Sequence, residues 1–217
     1  MNFLVFLGTE RASTPPRPQR LGERVAAACR RRLDANGATH SLIDPLEIDL
    51  PRPFKPHFSF ARGKAPAQLE QLEAKIASAD GYVMVSPEYN HSMSPTLAHL
   101  LNHFGSSLFS YKPSAIVTYS AGQWGGARAA VNMRTFLSEL GCLPVSAMVH
   151  VPRAQDVYDD NGICLEGIDQ ESWDSYLDRT VKQLFWWAEA ASRQRHSGET
   201  HAPDAFRTAP SQRNAPK

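Results

Sequence analysis

The chain has 217 residues, of which 42% are hydrophobic and 21% charged, and its formal charge is +1. That composition supports one ordinary α/β core and excludes a large multidomain assembly, a collagen-like repeat and wholesale disorder. No apolar run approaches the ~20 residues of a membrane span, the opening MNFLVFLGTER lacks the basic leader of a signal peptide, and Cys29, Cys142 and Cys164 show no CxxC spacing. A cytoplasmic chain with reduced thiols is expected.

Residues 3–7 form a short apolar run closed by Gly8, and Leu21, Val25, Cys29 and Leu33 then recur every fourth residue. This predicts a strand, a loop and an amphipathic helix. Asn36-Gly37 stops that helix, residues 39–43 supply a second strand, and a proline-rich stretch covers residues 45–56. Leu69, Leu72 and Ile76 mark a second helix. Residues 81–86 read as a strand buried on both faces, which favours a parallel sheet. Pro95 opens the next helix, residues 115–119 are a fourth strand, residues 127–140 a helix ended by Gly141, and residues 144–149 a fifth strand. Trp173, Leu177, Val181, Leu184 and Ala188 make the last helical stripe, after an excursion over residues 152–169.

Five strands alternating with five helices require crossover connections, hence an α/β three-layer sandwich around a parallel sheet. The expected fold is flavodoxin-like, with a five-stranded sheet in the order 2-1-3-4-5, and ligands in such sheets bind beyond the carboxyl ends of the strands, at the switch point between the first and third. Residues 1–192 are expected to form this domain. Residues 193–217 are rich in Arg, Ser, Ala and Pro without an apolar face, and a disordered basic tail is expected there. Three loops face the crevice.

The first, residues 8–20, combines hydroxyls, guanidinium groups and a helix start, the donors that hold a phosphate without a metal. Thr9, Arg11, Arg17, Gln19, Arg20 and Leu21 are the candidates. Seven arginines and a single acid, Glu23, lie between positions 11 and 32; Arg24, Arg30, Arg31 and Arg32 lie along the helix and are expected on a solvated face. The loop lacks a Walker lysine and GxGxxG. In the third loop, Ser120, Ala121, Gly122, Gln123, Trp124, Gly125 and Gly126 include three glycines, whose main chain can approach a flat ring and offer amides to it, or simply make a tight turn.

The second loop reads Ser86-Pro87-Glu88-Tyr89-Asn90-His91-Ser92 directly after the buried strand. SPEYN in that place, with Gly8-x-x-Arg11 before it, resembles the NADPH-dependent FMN reductase-like family of flavin, quinone, azo and chromate reductases. The resemblance covers roughly residues 1–190. It implies FMN with its phosphate in the first loop and with Pro87, Glu88, Tyr89 and Asn90 beside the isoalloxazine ring. It also implies NADPH or NADH as hydride donor and a homodimer or homotetramer. His91 stands where such proteins usually have Gly, Ser94-Pro95 replaces Pro-Gly, and Ala98-His-Leu-Leu-Asn102 replaces Lys-Asn-x-x-Asp.

The expected activity is ping-pong transfer from NAD(P)H to FMN and on to a small-molecule acceptor such as a quinone, flavin or azo compound. The alternative is a flavin-binding interaction protein with little turnover. No catalytic residue is obligatory, because the cofactor carries the chemistry; Tyr89 and His91 are the candidates. His99 and His103 are spaced i, i+4 but lack a completing carboxylate, so no metal is expected. Neither a nucleic-acid nor a membrane partner is expected.

Overall fold

The computed structural model describes residues 1–11 and 20–198. Its strands are β1 (Asn2–Leu7), β2 (Thr39–Ile43), β3 (Gly81–Pro87), β4 (Pro113–Tyr119), β5 (Leu143–Pro144) and β6 (Val149–Val151). They form one sheet in the order β2-β1-β3-β4-β5, with β6 also on β4. Every pairing is parallel, and every residue of β3 and β4 is buried. The order is the flavodoxin-like one that the alternation predicts.

The helices are α1 (Leu21–Ala35), α2 (Ala67–Ser78), α3 (Pro95–Asn102), α4 (Ser106–Phe109), α5 (Ala127–Glu139), α6 (Ala154–Val157) and α7 (Gln170–Ser197). Strand side chains alternate between faces. Phe3, Val5 and Leu7 therefore pack with Val25, Cys29 and Leu33 of α1 and Leu177, Val181 and Leu184 of α7, while Leu4, Phe6, Met84 and Ile116 pack with α2, α3 and α5. Each such side chain contributes about 1.5–3 kcal/mol by leaving water. The three cysteines are free thiols, two of them buried, and burial pushes those of Cys29 and Cys142 up to about 12.

The fifth strand departs from expectation. Instead of one run over residues 144–149, pairing begins at Leu143 opposite Pro113, breaks off after Pro144 opposite Ser114 and resumes at Val149 opposite Val117, so the edge carries two more residues than β4 across the break. Side chains hold the detour. Arg134 donates to the carbonyls of Val145 (2.9 Å) and Ser146 (2.6 Å), and the Ala147 amide donates to Gln183 Oε1 at 3.0 Å. Arg179 donates to the Met148 carbonyl, and Tyr176 Oη accepts from the His150 amide at 3.0 Å. Arg134 comes from α5, and Tyr176, Arg179 and Gln183 come from α7, so no local signal marks the break.

The arginines of α1 do not form a freely solvated face. Arg32 pairs with Asp174 (3.0 Å) and Asp178 (2.8 Å) on α7, and Arg24 pairs with Asp160 and donates to the Tyr158 carbonyl. Arg31 donates to the Gly162 carbonyl. They fasten the excursion and α7 to α1. Helix α7 is capped by Asp169, whose carboxylate accepts from the Glu171 and Ser172 amides, and it continues past residue 192 to Ser197. Arg195 there donates to the Tyr111 carbonyl at 3.0 Å and lies 3.6 Å from Asp80, so the start of the expected tail is helix. Residues 199–217 lie outside the described residues.

Candidate active site

The carboxyl ends of β1, β3 and β4 deliver the three loops to one crevice. At β1 the Gly8 amide donates to the Val85 carbonyl at 2.7 Å, binding the first loop to β3. Thr9 is buried, and its hydroxyl accepts from the Arg11 amide at 3.1 Å. Arg11 is exposed at the loop's start. Arg17 and Gln19 lie outside the described residues.

Arg20 requires a correction. A guanidinium open to a phosphate is expected there, whereas Arg20 is buried, donates to the Thr9 carbonyl (2.7 Å) and to Glu23 Oε1 (2.7 Å), and is paired with Asp44. Burial disfavours its charge, but the hydrogen bonds to Asp44 and Glu23 outweigh burial and hold its pKa above the ordinary value. It ties the loop's two ends to the residue that follows β2. Leu21 is the first residue of α1.

At the end of β3, Pro87 is paired with Tyr119. Glu88 turns away from the loop tip: its carboxylate accepts from the Arg128 and Ala129 amides (3.3 and 3.4 Å) and pairs with Arg128 Nε at 3.2 Å. A carboxylate is favoured at a helix N-terminus, so Glu88 caps α5 and couples the second loop to the third; its side chain is not part of an open cradle. Tyr89 and Ser92 exchange two backbone hydrogen bonds of 3.0 and 2.9 Å across a tight turn. Asn90 (φ 50°) and His91 (φ 62°) are its left-handed centre. Glycine is cheapest in that conformation, so the histidine is strained and projects into solvent. Tyr89 remains 43% exposed. Ser86 Oγ accepts from the Ser94 amide at 3.0 Å, and Ser94 Oγ caps α3 through the Leu97 amide.

The third loop is strapped down along its length. Ser120 Oγ accepts from the Gly125 amide (3.0 Å) and donates to the Gly122 carbonyl (2.8 Å). The Gly122 carbonyl also accepts from the Arg153 amide and the Ala121 carbonyl from Gln155. Gly126, at φ 79°, leads into α5, and a Cβ there would lie 2.8 Å from Thr118 Cβ. Ala121, Gly122 and Gln123 form an exposed rim. Trp124 is 63% exposed, with the Arg128 guanidinium 5.6 Å from its ring centre.

Tyr119, which the sequence reading treats only as the end of a strand, belongs to the site. It is buried, and burial followed by the neighbouring Tyr89 pushes its pKa far up, so it stays protonated. A Cβ at Gly22 would lie 2.5 Å from that hydroxyl, so the ring crosses from β4 to the start of α1. Its signal in the sequence is the hydroxyl pair Thr118-Tyr119 at the mouth of an otherwise apolar strand. His103 is buried with its ring 4.6 Å from that of Phe54, and among the described residues neither of its ring nitrogens has a side-chain hydrogen-bond partner. Among the described residues, no group of three His, Cys, Asp or Glu could hold a metal ion.

A parallel sheet in this order with such a crevice defines a flavodoxin-like α/β chain. A family model described as NADPH-dependent FMN reductase matches residues 1–156, and the chain belongs to that family. It is 34% identical over 111 residues to an NAD(P)H-dependent FMN reductase of Pseudomonas aeruginosa, covering 49% of this chain and 60% of the relative. It is 39% identical over 75 residues to a quinone reductase of Escherichia coli K12, covering 33% of this chain and 40% of the relative. These matches therefore span well under the full length of either relative. Among solved structures, the flavoenzyme NAD(P)H:(acceptor) oxidoreductase FerB of Paracoccus denitrificans superposes with TM-score 0.65 at 17% identity, over 87% of this chain and 97% of that one. That last likeness is one of fold.

Proposed function

We propose that the chain is an FMN-dependent NAD(P)H oxidoreductase that passes reducing equivalents to quinones, free flavins or azo compounds. What carries this reading is convergence: in a chain of the FMN reductase family, a hydroxyl and guanidinium loop, a tyrosine-bearing turn and a glycine loop meet at the switch point of the sheet. The donor set suits a flat ring with a phosphate tail. Thr9 and Arg11, with the Arg17 and Gln19 segment, would hold the phosphate beside the start of α1. The main chain of Pro87, Tyr89 and Asn90 would border the ring, and the Gly122–Gly126 segment would face its pyrimidine edge.

FMN, when bound, supplies the hydride acceptance and release. The overall balance is NAD(P)H, one proton and a quinone giving NAD(P)⁺ and a hydroquinone. The protein's residues then have three tasks, namely holding the phosphate, keeping one ring face open, and offering amides where negative charge grows on reduction. None needs a side-chain acid. The exposed Tyr89 and Trp124 rings make a flat, weakly polar border that selects acceptors by shape.

The test is an absorbance titration of the purified protein with FMN and with riboflavin, followed by anaerobic NADH or NADPH. FMN is expected to bind more tightly than riboflavin and to bleach on nicotinamide addition. Riboflavin binding of equal strength would remove the phosphate assignment, and bound FMN that stays oxidised would favour a binding protein without turnover. Replacing Tyr89 with Ala is expected to weaken FMN retention about tenfold, the worth of one aromatic contact of about 1.4 kcal/mol.

A further inference from the structure

We propose that His150 and Thr118 are positioning residues that fix the peptide between Gly125 and Gly126, and thereby aim the Gly126 amide at the flavin crevice. This rests on the FMN reading above. Thr118 lies one residue before the end of β4, its hydroxyl is buried, and it stands 2.8 Å from the Gly125 carbonyl and 2.8 Å from His150 Nδ1. A hydroxyl has one proton. Given to the Gly125 carbonyl, it leaves the hydroxyl oxygen to accept from His150, which assigns the imidazole proton to Nδ1. Only this assignment satisfies both short contacts.

The consequence follows from peptide planarity. In a trans peptide the N–H points opposite to the C=O, so drawing the Gly125 carbonyl onto Thr118 turns the Gly126 N–H away from the sheet. Among the described residues nothing accepts from that amide. The two flanking residues are both glycines at positive φ, 58° and 79°, and a glycine pair places little steric limit on rotation of the peptide between them. The hydroxyl supplies the limit that side chains do not. His150 is itself held, since its amide donates to Tyr176 Oη. Burial first, and the Arg179 charge second, hold its pKa below the ordinary value.

The experiment compares Thr118→Val and His150→Leu with the conservative Thr118→Ser and His150→Asn in the FMN-loaded protein, reading the affinities for oxidised and reduced FMN and hence the potential of the bound flavin. A donor aimed at growing negative charge favours the reduced form. Losing its alignment is expected to weaken reduced FMN about fivefold relative to oxidised, the scale of one hydrogen bond. Ser and Asn, which keep a hydroxyl and an N–H donor, are expected to restore the ratio. A purely structural role would weaken both forms equally. An unchanged ratio in folded Val and Leu variants would overturn the proposal.

The nitrogen-15 signal of the Gly126 amide, followed in protein without FMN, separates the two readings. If the wild type takes up no FMN, the flavin reading fails by itself. With Thr118→Ser as the conservative control, a Gly126 signal and amide exchange rate unchanged by Thr118→Val would then sink the positioning role on its own terms.

Discussion

The crevice has two walls, and they are fastened by different chemistry. On the α1 side, ionised groups do the holding: Arg20 spends its guanidinium on Asp44, Glu23 and the Thr9 carbonyl. On the β6 side the fastenings are neutral, with Thr118, Ser120 and His150 joining hydroxyls and an imidazole to the peptides of residues 122–126. A buried charge that loses its partner is left uncompensated, whereas a neutral hydrogen bond can be replaced by one of similar shape. The ionic wall should therefore be brittle to substitution, and the neutral wall should tolerate conservative change.

The largest effect is expected from Arg20→Met, which strands Asp44 and frees both ends of the first loop. A loss of about 3–5 kcal/mol is expected in urea unfolding, the cost of breaking a buried pair. A loss under about 1 kcal/mol would show that the pair behaves like an exposed one. Because the folded pKa of Arg20 is raised, its contribution is complete below the ordinary arginine value and is lost only as pH rises through the still higher folded value. The ionic wall should thus owe no part of any neutral-range pH dependence to Arg20.

Gly126→Ala comes next, since its methyl meets Thr118 and its φ is left-handed. About 2 kcal/mol is expected, together with weaker FMN retention. A thermal midpoint matching the wild type would mean that the third loop relaxes freely, contrary to its strapping.

A smaller, pH-dependent difference should separate the walls further. Burial lowers the His150 pKa, so below about pH 6.5 the unfolded chain takes up a proton before the folded one does. Stability is complete above that ordinary value and falls as pH drops toward the lowered folded value. Thermal midpoints measured on either side of that value should show a shallower acid limb in His150→Asn. Some slope will remain, because burial also lowers His103. An identical limb in variant and wild type would contradict the assignment to His150. The smallest effect is His91→Gly, expected to gain about 1 kcal/mol by relieving a left-handed non-glycine residue. Its rate of flavin reduction by nicotinamide should match that of the wild type; a large loss would put His91 in the donor site.

The apolar runs over residues 3–7, 81–86 and 115–119 state the strands openly, because a strand buried on both faces needs nothing but apolar residues. The SPEYN segment likewise announces its loop. What stays hidden depends on partners distant in the chain. Arg20 looks like any other member of an arginine cluster until Asp44, 24 positions on, folds against it. Glu88 meets α5 40 residues later, and Thr118 meets His150 across 32. A hydroxyl ending a buried strand is a visible anomaly, but nothing in its neighbourhood names the imidazole that completes it.

The interrupted edge beyond β4 has a consequence for how these molecules meet one another. An outermost strand with bare peptide groups is a template on which another chain can add a strand, the first step toward disordered assembly. Here the Ala147 amide is taken by Gln183, the Met148 carbonyl by Arg179, the His150 amide by Tyr176, and the carbonyls of Val145 and Ser146 by Arg134. The sheet thus ends in a fringe of side chains, and a crowded solution of this protein finds little to zip onto at that margin.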